Sequence, residues 1–413
     1  MTPQILFYLL IFIVILSFCF SQWISYLNTT MWNDALPEAL TGFYDAETYR
    51  KQQLYGKENY KLELMGDVVS FVLLIVMLSF GGFAWLDNYI SSFTASETWR
   101  AIIFLGILAL ASDVISIPFE VYDTFIIEEK FGFNKTTVKT FILDKVKAWV
   151  LAAVIGGLLL ALIIWLWQQT AGYFWIWAWV VITIFSVGMG YFYTSVLLPV
   201  FNKLTPLEEG TLKNAIENMA QKAGFSLRNV KVMDGSKRST KANAFFSGFG
   251  KRKTIVLFDT LINNHSEDEI VAVLAHEIGH YKKKHIVKGM FLSVMHTGIL
   301  MFLFSFILKE SLFSEAVGVS TPSFHISLLV FGILYTPVST VLGIFMNKLS
   351  RKHEFEADKF AAQHADALKL QEALKKLSVQ NLSNLTPHPY YVFVHYSHPP
   401  LLHRLKALNQ FNS

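Results

Sequence analysis

Long apolar stretches recur along the chain, and several reach the roughly 20 residues that a helix needs to cross a bilayer. The first covers residues 4–27 and contains no charged side chain. The stretch 148–202 also lacks charge and is long enough for two helices, with a polar turn predicted at 168–172. The remaining stretches are 68–86, 101–118, 289–308 and 326–346. The pattern predicts a mainly α, polytopic membrane protein with seven transmembrane helices.

The composition agrees with a membrane protein. Hydrophobic residues make up 53% of the 413 residues and charged residues only 16%, whereas about 25% is usual in a soluble domain. This excludes both a soluble globule and an intrinsically disordered chain. A dispersed net charge of +4 gives no basic patch for a nucleic-acid partner. The single cysteine, Cys19, excludes a disulfide framework.

Lysine and arginine are concentrated in alternate loops. Clusters lie at 50–61, at 130–147, within 203–284 and after residue 348. The opposite side has only Arg100 and Lys309. Because cytosolic loops carry the excess of basic residues, the asymmetry predicts that the N-terminus is outside and the C-terminus is in the cytosol.

Residues 271–280 read VAVLAHEIGH and form the most informative motif. On a helix His276 and His280 share a face and can bind one metal ion. Ser266 and Glu269 match a capping box, which predicts where that helix begins. Glu277 can take a proton from water activated by zinc. The alternative is a helix that carries two histidines by chance.

A catalytic zinc site needs a third protein ligand and an open position. The segment RKHEFEADKFAAQHA offers Glu354 and Asp358, four residues apart on a predicted helix. Either carboxylate can bind the metal while the other orients a ligating histidine. His353 and His364 are rival candidates. From the residues alone, the identity of the third ligand stays open.

The pair of motifs HEIGH and EFEAD, separated by two apolar spans, resembles the Ste24 family of integral-membrane zinc metalloproteases, the CAAX prenyl protease type. The resemblance covers nearly the whole chain, including the strings PFEVYDTFIIEEKFGFNKTT (118–137), LPVFNKLTPLEEG (198–210), DGSKRSTKANAFFSGFG (234–250) and YSHPPLLHRLKAL (396–408). It implies a zincin-like metalloprotease core with a small β-hairpin. It also implies one Zn²⁺ per chain and a water-filled chamber within the helices.

The resemblance assigns roles around the metal. The first acid of EFEAD, Glu354, is implied as the third zinc ligand, and Asp358 as the carboxylate that supports the ligands. His398 is implied as the residue that stabilises the oxyanion, a role that a histidine facing the zinc can fill. Arg404 is implied to lie near it as a further catalytic residue, and Glu277 to act as the general base.

The segment KANAFFSGFGKRKTIVLF predicts two short strands joined by a tight turn near Gly248 and Gly250. An edge strand can pair with the extended backbone of a substrate. The resemblance implies that Asn243 and Ala244 lie on this strand and that Asn243 hydrogen-bonds the peptide. An ordinary cytosolic hairpin is the alternative.

Several acids lie in or beside the spans. Asp113 is inside the third span, where an ionisable residue is a functional candidate. Glu120, Asp123, Glu128 and Glu129 belong to one of the matched strings. For these acids we expect a structural polar network rather than catalysis.

The expected organisation has four parts. Residues 1–201 carry helices one to five with their cytosolic loops, and 202–288 form a cytosolic protease segment with the HExxH helix. Residues 289–347 carry helices six and seven. Residues 348–413 form a C-terminal protease segment with the third zinc ligand.

The expected function is zinc-dependent endopeptidase cleavage near the C-terminus of peptide or protein substrates, prenylated CAAX proteins in particular. One alternative is a bacterial protease for membrane-protein quality control without prenylated substrates. A remote alternative is a channel or transporter with a structural zinc. We expect a monomer that contacts membrane lipid, in the inner membrane of a bacterium or the endoplasmic reticulum membrane of a eukaryote.

Overall fold

The computed structural model describes residues 1–225, 229–248 and 253–411. Within these residues seven helices are long and apolar enough to cross a membrane. They are α1 (Pro3–Thr29), α2 (Ala46–Ser79), α4 (Glu97–Lys130), α5 (Val138–Thr170), α6 (Phe174–Phe201), α10 (His285–Ile307) and α12 (Phe324–His364). The predicted number of spans and the mainly α class are therefore confirmed.

Shorter helices complete the chain. They are α3 (Gly82–Ser91), α7 (Thr211–Lys222), α8 (Asp259–Asn264), α9 (Glu267–Lys282), α11 (Ser311–Glu315), α13 (Ala367–Gln380), α14 (Pro389–His395) and α15 (Leu401–Leu408). All except α3 and α11 lie in the polar parts of the sequence.

The second span differs from its prediction. Helix α2 ends at Ser79, so the expectation of one helix running to residue 86 is wrong. Gly81 has a φ of 68°, a left-handed conformation that glycine adopts without the steric cost of a Cβ atom. The chain turns there, and α3 begins at Gly82.

Asp87 lies on α3 and is fully buried. Arg100 of α4 contacts both of its carboxylate oxygens, with Nε 2.7 Å from Oδ1. His325 of α12 places Nε2 2.8 Å from the same Oδ1. Removing one member of a buried ionic group leaves an uncompensated charge, which is strongly destabilising. The cluster therefore fixes α3 against two of the spanning helices.

Asp113 belongs to a second network, between α4 and α5. Lys145 Nζ lies 2.9 Å from Asp113 and 2.7 Å from Glu120. The Trp149 indole donates to the other Asp113 oxygen at 2.7 Å. An acid inside a span is tolerated here because a cation and a donor on the neighbouring helix satisfy it.

The polar half of the protein, which is made of the segments 202–284 and 365–411 outside the spanning helices, contains a four-stranded mixed sheet. Its strands are β1 (Leu204–Pro206), β2 (Asn229–Met233), β3 (Ala244–Ser247) and β4 (Thr254–Phe258). They lie in the order β1-β2-β4-β3. The predicted hairpin is the antiparallel pair β3–β4, and β3 is an edge strand. The structure adds β1 and β2, with β2 parallel to β4. Gly250, which was expected in the turn, lies outside the described residues.

The segment that leads into β3 is anchored to the membrane helices by Arg238. Its guanidinium donates to Asp144 of α5 at 2.9 Å, to the Asn202 side chain at 3.0 Å and to the Phe201 carbonyl at 2.6 Å. All three nitrogens of one side chain thus hold the polar half against the ends of α5 and α6.

Lys241 makes a second anchor three residues later. Its Nζ lies 2.9 Å from the Tyr55 hydroxyl and 3.0 Å from Glu128, and it sits 4.5 Å from the centre of the Phe133 ring. Glu128 therefore has a structural partner, as expected for this group of acids. Together, Arg238 and Lys241 fix the start of the edge strand relative to four spanning helices.

A polar cavity of about 800 Å³ lies between α2 and α4. Its lining includes the carboxylates of Glu63, Asp67, Glu120, Asp123 and Glu128. Charged groups on these spans thus line an open, polar cavity. The implied water-filled chamber stays a prediction.

Candidate metal centre

Helix α9 begins where the capping box predicts. The Ser266 side chain accepts from the Glu269 backbone N–H at 3.3 Å, and Glu269 accepts from the Ser266 N–H at 2.8 Å. Lys376 on α13 lies 2.6 Å from the Glu269 carboxylate. Because these groups hold the first turn, the HEIGH residues later in α9 have a fixed register.

Gly279, inside the HEIGH motif, sets the distance between α9 and α12. A Cβ atom at this position would lie 3.1 Å from the Cα and carbonyl oxygen of Ala357 and from the Cβ of Phe360. Glycine permits this close approach of two backbones. Because α12 continues beyond its apolar part as one helix to His364, the contact brings Glu354 beside the histidines.

His276, His280 and Glu354 form a compact group of three possible metal ligands. The two Nε2 atoms are 3.1 Å apart, and Glu354 oxygens lie 3.5 Å from the first and 3.2 Å from the second. Ligand atoms bound tetrahedrally to one zinc ion lie about 3.3 Å from one another, since each is about 2.0–2.1 Å from the ion. The spacing of these donors fits such an ion.

The hydrogen bonds of the group also fit a metal. The Glu354 side chain is only 4% exposed, and its Oε2 makes no hydrogen bond with any described residue. Its nearest nitrogen atoms are His276 Nε2 at 3.5 Å and Arg404 Nη1 at 3.7 Å. A buried carboxylate oxygen with only such long contacts is costly, and a cation at this point would satisfy it. Two imidazoles and one carboxylate are also the donor set of known catalytic zinc sites.

Asp358 contacts His276 on the side of the ring that faces away from Glu354. Its Oδ1 lies 2.8 Å from His276 Nδ1, so the other ring nitrogen is left to face Glu354. Arg404 contacts both Asp358 oxygens, through Nε at 2.8 Å and Nη2 at 2.6 Å. A bidentate arginine fixes the plane of a carboxylate, and here it fixes the ring orientation of His276.

Burial alone would lower the pKa of His276, but the hydrogen bonds with Asp358 and Glu354 outweigh it and raise that pKa to about 9. A metal ligand is a neutral imidazole, so metal binding must displace this proton. Burial raises the pKa of the half-buried Glu277, while His276 and His280 act in the opposite direction. A raised carboxyl pKa suits a general base that works near neutral pH.

His398 and Arg404 reach the group from the C-terminal segment. His398 Nε2 lies 3.4 Å from Glu354 Oε1, and its side chain is 65% exposed. The Ser397 hydroxyl lies 2.9 Å from His398 Nδ1. Arg404 is 12% exposed, and its Nη1 lies 3.7 Å from Glu354. Of these two side chains, His398 is the accessible one, while Arg404 is turned toward the carboxylates of Glu354 and Asp358.

Asn243 immediately precedes β3, and Ala244 is its first residue. The Asn243 carbonyl accepts from the Phe258 N–H at 3.1 Å. In an antiparallel pair the next residue then directs its backbone groups away from the partner strand. The Ala244 carbonyl therefore faces the outer side of the sheet, although its N–H is occupied by Asn243 Oδ1 at 2.8 Å.

No sequence pattern indicated two residues, His285 and Glu356, that lead away from His280. His285 Nδ1 lies 3.1 Å from His280 Nδ1, and His285 Nε2 lies 3.0 Å from Glu356 Oε2. Glu356 is the middle acid of EFEAD and lies on a different side of α12 from Glu354. No helical spacing connects His285 with His280, because α9 ends before it.

The rival ligands do not join the group. His353 stacks on His285, with ring centroids 3.9 Å apart. His364 Nδ1 lies 2.9 Å from the carbonyl of Phe360, one turn earlier in α12.

Known protein families match both the membrane helices and the polar part of the chain. The profile of Peptidase family M48 matches residues 206–412. The profile described as CAAX prenyl protease N-terminal, five membrane helices, matches residues 25–203. CAAX prenyl protease 1 of Saccharomyces cerevisiae is 35% identical over 96% of this chain and 93% of the relative. The CAAX prenyl protease 1 homolog of Homo sapiens is 33% identical over 90% of this chain and 88% of the relative.

The fold has a solved counterpart. The crystal structure of S. mikatae Ste24p has 34% sequence identity and a TM-score of 0.93, and the match covers 98% of this chain and 99% of that one. The resemblance that HEIGH and EFEAD indicated is thus confirmed over both the membrane helices and the polar half. The chain belongs to Peptidase family M48, a family of metallopeptidases, and carries the N-terminal membrane region of the CAAX prenyl proteases.

Proposed function

We propose that this chain is an integral-membrane zinc metalloendopeptidase that cleaves near the C-terminus of prenylated CAAX proteins. The observation that carries the proposal is the convergence of His276, His280 and Glu354 at 3.1–3.5 Å, with Glu277 on the same helix. A structural zinc site closes all four positions with protein ligands. Three ligands beside a carboxylic acid are the arrangement of a hydrolytic site.

Zinc, one ion per chain, is the metal we assign to these three ligands. When bound, it polarises the scissile carbonyl and lowers the pKa of water in the site. Asp358 accepts a hydrogen bond from the Nδ1–H of His276 and so fixes the orientation of that ring. The contacts of Arg404 with Asp358 and Glu354 favour a positioning role for this arginine over the catalytic role that the resemblance implied.

Glu277 acts as the general base in the proposed reaction. Its carboxylate takes a proton from the water that attacks the scissile carbonyl, and the same group returns the proton to the leaving amine. His398 donates a hydrogen bond to the oxygen on which negative charge develops. Its exposed ring, 3.4 Å from Glu354 Oε1, supports this assignment, since a donor that meets substrate must be accessible.

The edge strand β3 is the proposed site of peptide binding. An extended substrate adds to the outer side of β3, where the Ala244 carbonyl accepts one of its N–H groups. Asn243 hydrogen-bonds the peptide through its side-chain amide. The anchors at Arg238 and Lys241 support this role, because a peptide must be held in register with the metal.

Prenylated CAAX proteins are the proposed substrates because the relatives named CAAX prenyl protease 1 are 33–36% identical over most of their length. In a eukaryote the proposed location is the endoplasmic reticulum membrane, and in a bacterium it is the inner membrane. We propose a monomer, with the division at 1–201, 202–288, 289–347 and 348–413 as its functional parts.

The metal ligands give the first prediction. His276→Ala, His280→Ala and Glu354→Ala should each lose bound zinc and activity. Asp358→Ala should weaken zinc binding by about 10- to 100-fold, as loss of a supporting carboxylate does. Zinc per chain in the purified proteins tests this, with the exposed Glu372→Ala as a control. Full zinc in Glu354→Ala and none in Asp358→Ala would move the third ligand to Asp358.

The second prediction separates the chemistry from metal binding. Glu277→Gln keeps the shape of the side chain and removes the base, so zinc content should stay normal while the rate falls at least ~10²-fold. His398→Ala should also keep zinc, and its kcat should fall about 10²- to 10³-fold with little change in KM. Cleavage by Glu277→Gln at the wild-type rate would instead favour a structural zinc in a channel or transporter.

The third prediction concerns the substrate. The farnesylated form of one peptide should have a kcat/KM at least ~10-fold higher than the unprenylated form. Burying only two methylene groups of the farnesyl chain is worth about 1.6 kcal/mol. A chelator should abolish both reactions. Equal kcat/KM values for the two peptides would contradict the CAAX assignment and favour a protease that acts on membrane proteins without a prenyl group.

The fourth prediction concerns orientation. Basic residues cluster in the loops that hold the catalytic segments, so we propose that the N-terminus is outside and the C-terminus cytosolic. A topology reporter fused after Ser413 should report the cytosol, and one fused before Met1 the opposite side. A cytosolic N-terminus would show that the orientation is reversed.

A further inference from the structure

The Nδ1 atoms of His276 and His280, which face away from the proposed metal, have different partners. The Nδ1 atom of His276 meets a carboxylate, Asp358, at 2.8 Å. The Nδ1 atom of His280 meets another imidazole, that of His285, at 3.1 Å. The far nitrogen of His285 lies 3.0 Å from Glu356 Oε2. A chain of two rings and a carboxylate therefore leads away from the proposed metal.

The proposed ligation determines which nitrogen of each of these two rings carries the proton. If Nε2 of His280 binds a metal, the ring is neutral and its proton is on Nδ1. Nδ1 of His285 must then accept that proton's hydrogen bond, so the His285 proton is on Nε2. That Nε2–H donates to the Glu356 carboxylate. Each nitrogen and the carboxylate oxygen has one defined role, and no contact leaves two donors facing each other.

The fold holds His285 in place for this contact. The residue is only 6% exposed, and its ring stacks on His353 with centroids 3.9 Å apart and planes 11° apart. Lys284, just before it, has a φ of 59°. This left-handed residue turns the chain sharply between α9 and α10, so that the first residue of α10 points back at the last histidine of HEIGH.

The two residues behind His280 both belong to spanning helices. His285 begins α10, and Glu356 lies on α12, in the part beyond its apolar stretch. The position of the His280 ring therefore depends on how these two helices are packed. His276, in contrast, depends on α12 and on Arg404 of α15.

We propose that His285 and Glu356 are positioning residues that fix the tautomer and ring orientation of His280 and thereby strengthen zinc binding. The proposal rests on the zinc site proposed above. Partners of this kind typically change metal affinity by about 10- to 100-fold. Glu356 is 34% exposed, so we expect it to contribute less than His285.

The test measures zinc affinity of the full-length protein in detergent, by competition with a chelator of known affinity. His285→Ala should bind zinc about 10- to 100-fold more weakly. His285→Asn, whose amide oxygen can replace Nδ1 as the acceptor, should regain most of that loss. Glu356→Gln should fall between His285→Ala and the wild type.

His353→Ala is the matched control. It removes a ring that packs on His285 but lies outside the chain of hydrogen bonds, so its zinc affinity should fall clearly less than that of His285→Ala. In excess zinc, His285→Ala should regain most of its activity and its thermal midpoint should match that of His353→Ala.

Two results would overturn the proposal. One is wild-type zinc affinity in His285→Ala. The other is an equal loss in His285→Ala, His285→Asn and His353→Ala, which would mean that packing alone matters. Failure of the zinc assignment is a separate result, because the wild-type protein itself would then bind no zinc and the comparison among variants would show no difference.

Discussion

The close contact between α9 and α12 is the constraint on which the rest of the site depends. Gly279 lets the two helix backbones approach, with Ala357 only 3.1 Å from where a Cβ would stand. A wider separation would move Glu354 away from both histidines and Asp358 away from His276. The donors of the candidate metal site thus come from segments 74 or more residues apart, and one glycine permits them to meet.

The metal site is also tied to the membrane helices. α12 is at once the seventh span and the carrier of Glu354, Glu356 and Asp358. The edge strand β3 is tied to the same body by Arg238 and Lys241, whose partners lie on α2, α4, α5 and the end of α6. The edge strand and the candidate metal ligands are therefore positioned by one set of helices rather than by two independent domains.

Many features could be predicted from the residues because they depend on neighbours in the sequence. The apolar stretches, the polar turn after α5 and the capping box of α9 all have local causes, namely side-chain hydrophobicity and short-range hydrogen bonds. The shared face of His276 and His280 follows from the helical period alone. The end of the second span did not follow, because the left-handed Gly81 and the buried partners of Asp87 are not visible in hydropathy.

The sequence by itself determined that this is a membrane protein with seven spans and an HExxH helix, and its long matched strings determined the family. Only the tertiary structure decided which carboxylate faces the Nε2 atoms of both histidines. Glu354 and Asp358 are equivalent by spacing, and they differ only in which side of α12 faces the Nε2 atoms and which faces Nδ1 of His276. The same holds for His285 and Glu356. The contacts of His285 with His280 and with Glu356 depend on a chain reversal at Lys284 and on the packing of two spanning helices, and neither leaves a periodic pattern in the residues.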